Sequence, residues 1–353
     1  MGSQNMSDKI PVGVIGAGSF GTAIANLLAE NGPVMIYARK PEVIDDINIE
    51  REHKGQKMHE NVTATADIEQ LCERCTLIFP SVPSASFRSM MVDFSPYLLP
   101  DHILIHTTKG FDLGDIDEEQ LLDIDFKLKA NQIFTMSEVI RQESNVVRIG
   151  CLSGPNLARE LANHQPAATV IASRFDEVTR EGQFAIRSKR FQAYASNDIL
   201  GVELGGILKN TMAIAAGGIR GLGYGQNALS FLISRGLGEI IRLGNALGAE
   251  KEAFLGLAGV GDLIATCTSE LSRNFTVGRR IASGEELAYI IETSDEVAEG
   301  IKTVSICKKL AESLDIRLPI VETIYSVLFT ELSAEDGLGR LMGYRRGTDV
   351  DFM

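Results

Sequence analysis

The sequence predicts an α/β domain built on a mainly parallel sheet, followed by an all-α domain. Three observations carry that division. Short apolar runs alternate with helically spaced segments between residues 9 and 195. The period becomes helical throughout from residue 196 onward. A glycine-rich turn closes the first apolar run. The expected domains are therefore 1–195 and 196–353.

The elements follow in order. An apolar run at 10–15 ends at Gly16, and 20–31 has helical spacing. Further runs stand at 34–37, 77–79, 103–106, 147–152 and 168–172. Turn residues end three of them: Ser81-Val82-Pro83, Thr107-Thr108-Lys109-Gly110 and Ser153-Gly154-Pro155. Short buried strands alternating with helices imply a sheet covered on both faces. Beyond residue 200 no strand is expected. Helices are expected at 199–217, 226–247, 251–258, 276–283, 300–314 and 319–331.

Composition bounds the function. A chain of 353 residues, 44% hydrophobic and 23% charged, can bury two cores. A net charge of −13 argues against nucleic-acid and anionic-membrane partners, which need a basic surface. A small anion is still compatible, because local cations outweigh distant charge once screening sets in. No stretch is expected to approach the ~20 apolar residues of a membrane helix. The polar start, MGSQNMSDK, lacks an apolar signal core, so a cytoplasmic protein is expected. Cys72 and Cys75 form a CxxC, but no second pair lies nearby to close a zinc site. The five cysteines are expected to be reduced thiols, and no metal is assigned.

The turn Gly16-Ala17-Gly18-Ser19-Phe20-Gly21 fits G-x-G-x-x-G with a strand before it and a helix after it. Gly16 serves the tight turn, Gly18 admits a pyrophosphate, and Gly21 lets helix and sheet pack. The helix N-terminus adds N–H groups and partial positive charge for phosphates. This reads as a Rossmann-like dinucleotide-binding domain. About 20 residues on, an NAD site usually carries a carboxylate. Here the chain reads Tyr37-Ala38-Arg39-Lys40, with no carboxylate before Glu42. Arg39 and Lys40 favour a 2′-phosphate, so NADPH is expected to bind at least as well as NADH. The alternative is a solvated basic pair at a strand end.

Candidate substrate residues lie further along. Lys109 sits at a strand end in TTKG, where open α/β sheets bind ligands. Lys209 is a lone cation in the apolar helix GGILKNTMAI. Buried, it would suit proton exchange with a carbonyl or alcohol; otherwise it lies on the helix's polar side. Asp262 follows a glycine turn and would bond Lys209 or a substrate hydroxyl. Ser272-Arg273-Asn274 offers a hydroxyl, a guanidinium and an amide to a phosphate, or else a polar cap before Phe275. None of the five histidines shows metal or triad spacing, and His106 is read as structural. No G-x-S-x-G elbow supports a hydrolase.

Taken together, GAGSFGTA, PSVPS, TTKG, SGPNLARELA, GVELGGILKN, SRGLGEIIRLG, AGVGDLIATCTS, SRNF and VAEG make the chain resemble the bacterial-type NAD(P)-dependent glycerol-3-phosphate dehydrogenases from about residue 11 to 346. The resemblance implies reversible reduction of dihydroxyacetone phosphate to sn-glycerol 3-phosphate with NADP or NAD, feeding glycerophospholipid synthesis. It implies Ser19, Phe20, Arg39, Lys109, Ala158, Arg273, Val297 and Glu299 as cofactor contacts. It implies Lys109, Gly154, Asn156, Asp262, Ser272, Arg273 and Asn274 as substrate contacts, and Lys209 as the acid/base. The family often has Thr in place of Asn156 and Lys in place of Arg159. A homodimer is expected from the apolar helical half. Two other readings stand beside this one: another two-domain NAD(P)-dependent hydroxyacid or ketoacid dehydrogenase, and a nucleotide-sensing protein that lost catalysis.

Overall fold

The computed structural model describes residues 10–123, 125–294 and 298–343. They form two compact units: the chain up to Asp112 with Thr135–Val202, and Leu113–Phe134 with the chain from Glu203 onward.

Among the described residues, the first unit holds ten strands in two sheets: β1 (Val12–Ile15), β2 (Val34–Tyr37), β3 (Glu52–His53), β4 (Gln56–Lys57), β5 (Val62–Thr65), β6 (Leu77–Pro80), β7 (Ile103–His106), β8 (Arg148–Ser153), β9 (Ala167–Ser173) and β10 (Phe191–Ser196). Eight pair in the order β10-β9-β8-β7-β6-β1-β2-β5. Every pairing is parallel except β8 with β9. The central strands read VGVI, LIFP and ILIH because both faces are covered, and Val14, Ile36, Phe79 and Ile105 are fully buried. The sequence did not point to β5 or β10. These are the two edges of the sheet, and their sequences VTAT and FQAYAS mix polar with apolar residues. β3 and β4 form a separate hairpin, pairing Glu52 with Lys57 and His53 with Gln56.

β1 feeds the helix Ser19–Ala29, whose Ile24, Leu27 and Leu28 join the core below the sheet strands. β2 lies on one side of β1 and β6 on the other. The chain therefore reverses direction across the sheet at β1, and ligands of such sheets bind beyond the carboxyl ends at that point. The turns after β1, β2, β6, β7 and β8 all emerge at that end.

The second unit is helical, and among the described residues no strand follows β10. The helix Ile199–Gly221 carries the boundary between the units and is buried along most of its length. Contrary to expectation, it is long and apolar enough to cross a membrane, with a mean hydropathy of 1.3. Its apolar stretch is 89% buried, which is how a core helix behaves. The segment Leu113–Phe134 is tied to the helix Glu299–Ser313: Lys309 Nζ donates to Asp123 O at 2.5 Å, and Lys302 Nζ lies 2.7 Å from Glu118 Oε1. The helix Pro319–Phe329 starts on a buried carboxylate, with Glu239 accepting from the amides of Ile320 (2.7 Å) and Val321 (3.1 Å). Such a cap satisfies two amides that the helix leaves unpaired.

All five cysteines are buried and none forms a disulfide. Cys72 lies in the helix Ile68–Arg74 and Cys75 ends it. Burial pushes both thiols up to about 12. They fill core space, as expected for ordinary thiols.

Candidate active site

The glycine-rich turn is shaped by close packing on two sides and open space on the third. Gly16 has φ +105°, and a β-carbon there would meet Ser81 O at 2.8 Å. A β-carbon on Gly21 would come within 2.0 Å of Gly16 O, so helix and turn tolerate no side chain there. Gly18 has an ordinary φ of −75°, and a β-carbon there would meet nothing within 4 Å. Folding does not demand glycine at Gly18, and the open space leaves its backbone accessible. Gly18 caps the helix Ser19–Ala29 without a side-chain bond, and the first turn contains no acidic residue. Partial positive charge is thus left uncompensated at the place where a pyrophosphate would sit. Phe20 packs its ring partly onto the core.

Arg39 and Lys40 follow β2 and are exposed. Lys40 Nζ lies 3.9 Å from Glu42 Oε1. The turns after β6 and β7 are bonded together: Ser81 Oγ lies 2.8 Å from Thr107 Oγ1, and Thr108 Oγ1 donates to Val82 O at 2.6 Å. This fixes the base of TTKG. Lys109 Nζ then donates to Gly154 O at 3.2 Å, joining the TTKG and SGPN turns. Asn156 Nδ2 donates to Ala168 O at 3.0 Å, while its Oδ1 is buried with no partner. Ala158 opens the helix Ala158–Ala162 beside it. His106 is buried and packs edge-on to Phe87 at 5.9 Å, the structural role expected of it.

The second unit gathers the other candidates. Lys209 is only 6% exposed, which settles the question the sequence left open. It is not unpaired: Nζ lies 2.6 Å from Asp262 Oδ1 and donates to Thr266 Oγ1 at 2.6 Å. Gly205, one helical turn before Lys209, makes this pairing possible. A β-carbon there would meet Ala258 O at 2.7 Å, so only glycine lets the turn carrying Asp262 approach so closely. Thr266 was not anticipated, although Asp262 and Thr266 stand at i, i+4 on the helix Asp262–Thr268, a spacing that shares one face.

Ser272 caps the helix Arg273–Ala282, accepting from Phe275 N at 3.3 Å, so the capping reading holds for this residue. Asn274 Oδ1 accepts from Gly300 N at 2.9 Å. A β-carbon on Gly300 would meet both Asn274 Oδ1 (2.6 Å) and Asn210 O (2.7 Å), so Asn274 lies close to the backbone next to Lys209. Both oxygens are used as acceptors. What Ser272 and Asn274 can still present to an anion is a donor, O–H and N–H respectively. Arg273 is exposed at the first turn of its helix, and Glu299 opens the helix Glu299–Ser313. Val297 lies outside the described residues.

Two residues beside the glycine-rich turn escaped the sequence reading. His53 Nε2 lies 2.9 Å from Ala17 O, and Gln56 Nε2 donates to Ser19 O at 2.9 Å. Both partners are more than 35 positions away in the chain, and no local pattern announces them.

Two family models match this arrangement. The N-terminal model of NAD-dependent glycerol-3-phosphate dehydrogenase covers residues 11–179, and the C-terminal model covers 198–338. The chain belongs to the NAD-dependent glycerol-3-phosphate dehydrogenase family. A relative from Saccharophagus degradans named glycerol-3-phosphate dehydrogenase (NAD(P)+) is 40% identical, with 99% of this chain and 94% of that one covered. A relative of the same name from Pseudomonas aeruginosa is also 40% identical, with 99% and 98% covered. The crystal structure of glycerol-3-phosphate dehydrogenase from Coxiella burnetii superposes with a TM-score of 0.83 at 29% identity, covering 95% of this chain and 99% of that one. Membership in the dehydrogenase family accounts for the pairing of a Rossmann-like unit with a helical one.

Proposed function

We propose that this chain reversibly reduces dihydroxyacetone phosphate to sn-glycerol 3-phosphate with NADPH or NADH, supplying backbone for glycerophospholipids. The observation that carries the reading is the buried Lys209–Asp262–Thr266 group, with Asn274 and Gly300 packed beside the neighbouring Asn210. Family membership and the names of the relatives support it.

The turn Gly16–Gly21 would hold the dinucleotide, with the N-terminus of Ser19–Ala29 toward its pyrophosphate and Arg39 and Lys40 toward its adenosine end. When bound, the dinucleotide supplies or takes the hydride. The protein's own groups handle the charge. Lys209 gives a proton to the ketone oxygen in reduction and takes one from the alcohol in oxidation. Asp262 and Thr266 hold the ammonium in place, which spares the transition state a search for geometry. Lys109, fixed by Gly154 O, adds positive charge near substrate and cofactor. Arg273, with the O–H of Ser272 and the N–H of Asn274, holds the phosphate. Gly154 and Asn156 would border the substrate, and Ala158 and Glu299 the cofactor. Asn156 uses one amide N–H on Ala168 O, which leaves its second N–H as a donor and its Oδ1 as an acceptor.

We take the molecule to be a cytoplasmic homodimer. The acidic net charge of −13 and the absence of disulfides among its five cysteines support the compartment. Light scattering of the purified protein reports the oligomer directly. The decisive test follows the absorbance of the reduced cofactor with dihydroxyacetone phosphate added. Oxidation of NADPH or NADH is expected, with NADPH used at least as efficiently. Absence of turnover with either would remove the proposal. A strong preference for NADH would remove only the role given to Arg39.

A further inference from the structure

We propose that His53 and Gln56 are positioning residues that set the direction of the backbone amides in the cofactor-phosphate turn. The proposal rests on reading Gly16–Gly21 as that turn. A trans peptide points its C=O and its N–H in opposite directions. Whatever holds the carbonyl therefore aims the amide. His53 Nε2 holds Ala17 O, and the N–H of that same peptide belongs to Gly18. Gln56 Nε2 holds Ser19 O, and the N–H of that peptide belongs to Phe20. Two alternate peptides of the turn are thus pinned by their oxygens. Their amides turn away from the hairpin, as an anion-binding concavity requires.

The hairpin is built for this. His53 and Gln56 are a cross-strand pair, and both are buried at 7% exposure. Lys54 (φ 53°) and Gly55 (φ +68°) between them adopt the left-handed conformations of a tight two-residue hairpin turn. The two donors are therefore locked side by side, and their targets are likewise two residues apart. Asp46 Oδ2 lies 3.1 Å from His53 Nδ1, and since Ala17 O and the carboxylate both accept, the two contacts are hydrogen bonds together when the ring carries a proton on each nitrogen. The open space over Gly18 completes the cradle.

The test compares His53→Leu, Gln56→Leu and His53→Gln with the parent chain. Dissociation constants for NADPH come from fluorescence titration, and kcat and KM for dihydroxyacetone phosphate from assays at saturating NADPH. Each leucine variant is expected to weaken NADPH binding about tenfold, the order of one lost buried hydrogen bond. The KM for dihydroxyacetone phosphate and the saturated kcat should stay within about twofold, because the bonds of both residues run to the glycine-rich turn. His53→Gln should recover binding to within about threefold, since its Nε2–H reaches where the imidazole Nε2–H did. Unchanged NADPH affinity in both leucine variants, or no recovery in His53→Gln, would overturn the proposal. If His53→Leu does not fold, Gln56→Leu and His53→Gln still decide it. A parent chain that binds neither NADPH nor NADH would sink the cofactor reading of the turn together with this one.

Discussion

Lys209 shows how one residue's chemistry depends on what is buried beside it. An ammonium in an apolar helix is costly alone, and Asp262 at 2.6 Å offsets part of that cost. Removing either partner strands the buried charge of the other, so both substitutions should cost stability. Lys209→Met should lower kcat by ~10²-fold or more while NADPH still binds. Asp262→Leu should lower activity and also destabilise the fold by about 3–5 kcal/mol, because it strands a buried charge. Chemical denaturation alongside the assay separates the two effects; near-normal turnover in Lys209→Met would remove it as the acid/base. The glycine-rich turn gives a second contrast. Gly18→Val should fold normally and lose cofactor binding, because the new side chain enters open space that the pyrophosphate needs. Gly21→Ala should lose stability itself, because its β-carbon would lie 2.0 Å from Gly16 O. Melting temperature and NADPH titration on the two variants check this.

At the scale of elements, two helices of the second unit begin on buried side-chain caps. The helix Arg273–Ala282 begins on Ser272, and Pro319–Phe329 begins on Glu239. Glu239 is 2% exposed and accepts two amides with its two oxygens. Replacing it by leucine should cost about 3 kcal/mol, since charge-assisted bonds to a helix N-terminus are lost and the amides stay buried. A urea titration checks the loss, and a drop below about 1 kcal/mol would show that the end is satisfied otherwise. Strand legibility follows burial. β1, β6 and β7 lie between neighbours, are covered on both faces, and so read as continuous apolar runs. β5 and β10 are the edges, with exposed positions that dilute the run, and the sequence hid them.

At the scale of the whole molecule, buried thiols tie stability to pH. Burial pushes Cys72, Cys75 and Cys267 up to about 12, and Cys307 is raised further still. In the unfolded chain these thiols release their protons near roughly pH 8.5. The folded chain thus holds protons that the unfolded chain gives up. This contribution is fully present below the unfolded value and is lost as pH rises toward about 12. Denaturation midpoints measured at about pH 7 and about pH 10 should fall between the two, and the fall should shrink in a Cys72→Ala, Cys75→Ala variant. An equal fall in that variant would assign the effect to other groups.

The sequence by itself determined the division into a parallel α/β part and a helical part, because burial on both faces and helical periodicity are written locally. It also determined the glycine-rich turn and the residue types available for phosphate and proton transfer. Only the tertiary structure decided that Lys209 is buried, and that Asp262 and Thr266 share it. It alone decided that Asn274 meets Gly300, and that His53 and Gln56 hold the carbonyls of a turn more than 35 positions earlier. Those pairings depend on close approach between segments distant in the chain. Close approach depends on space at residues such as Gly205 and Gly300, which no local period encodes.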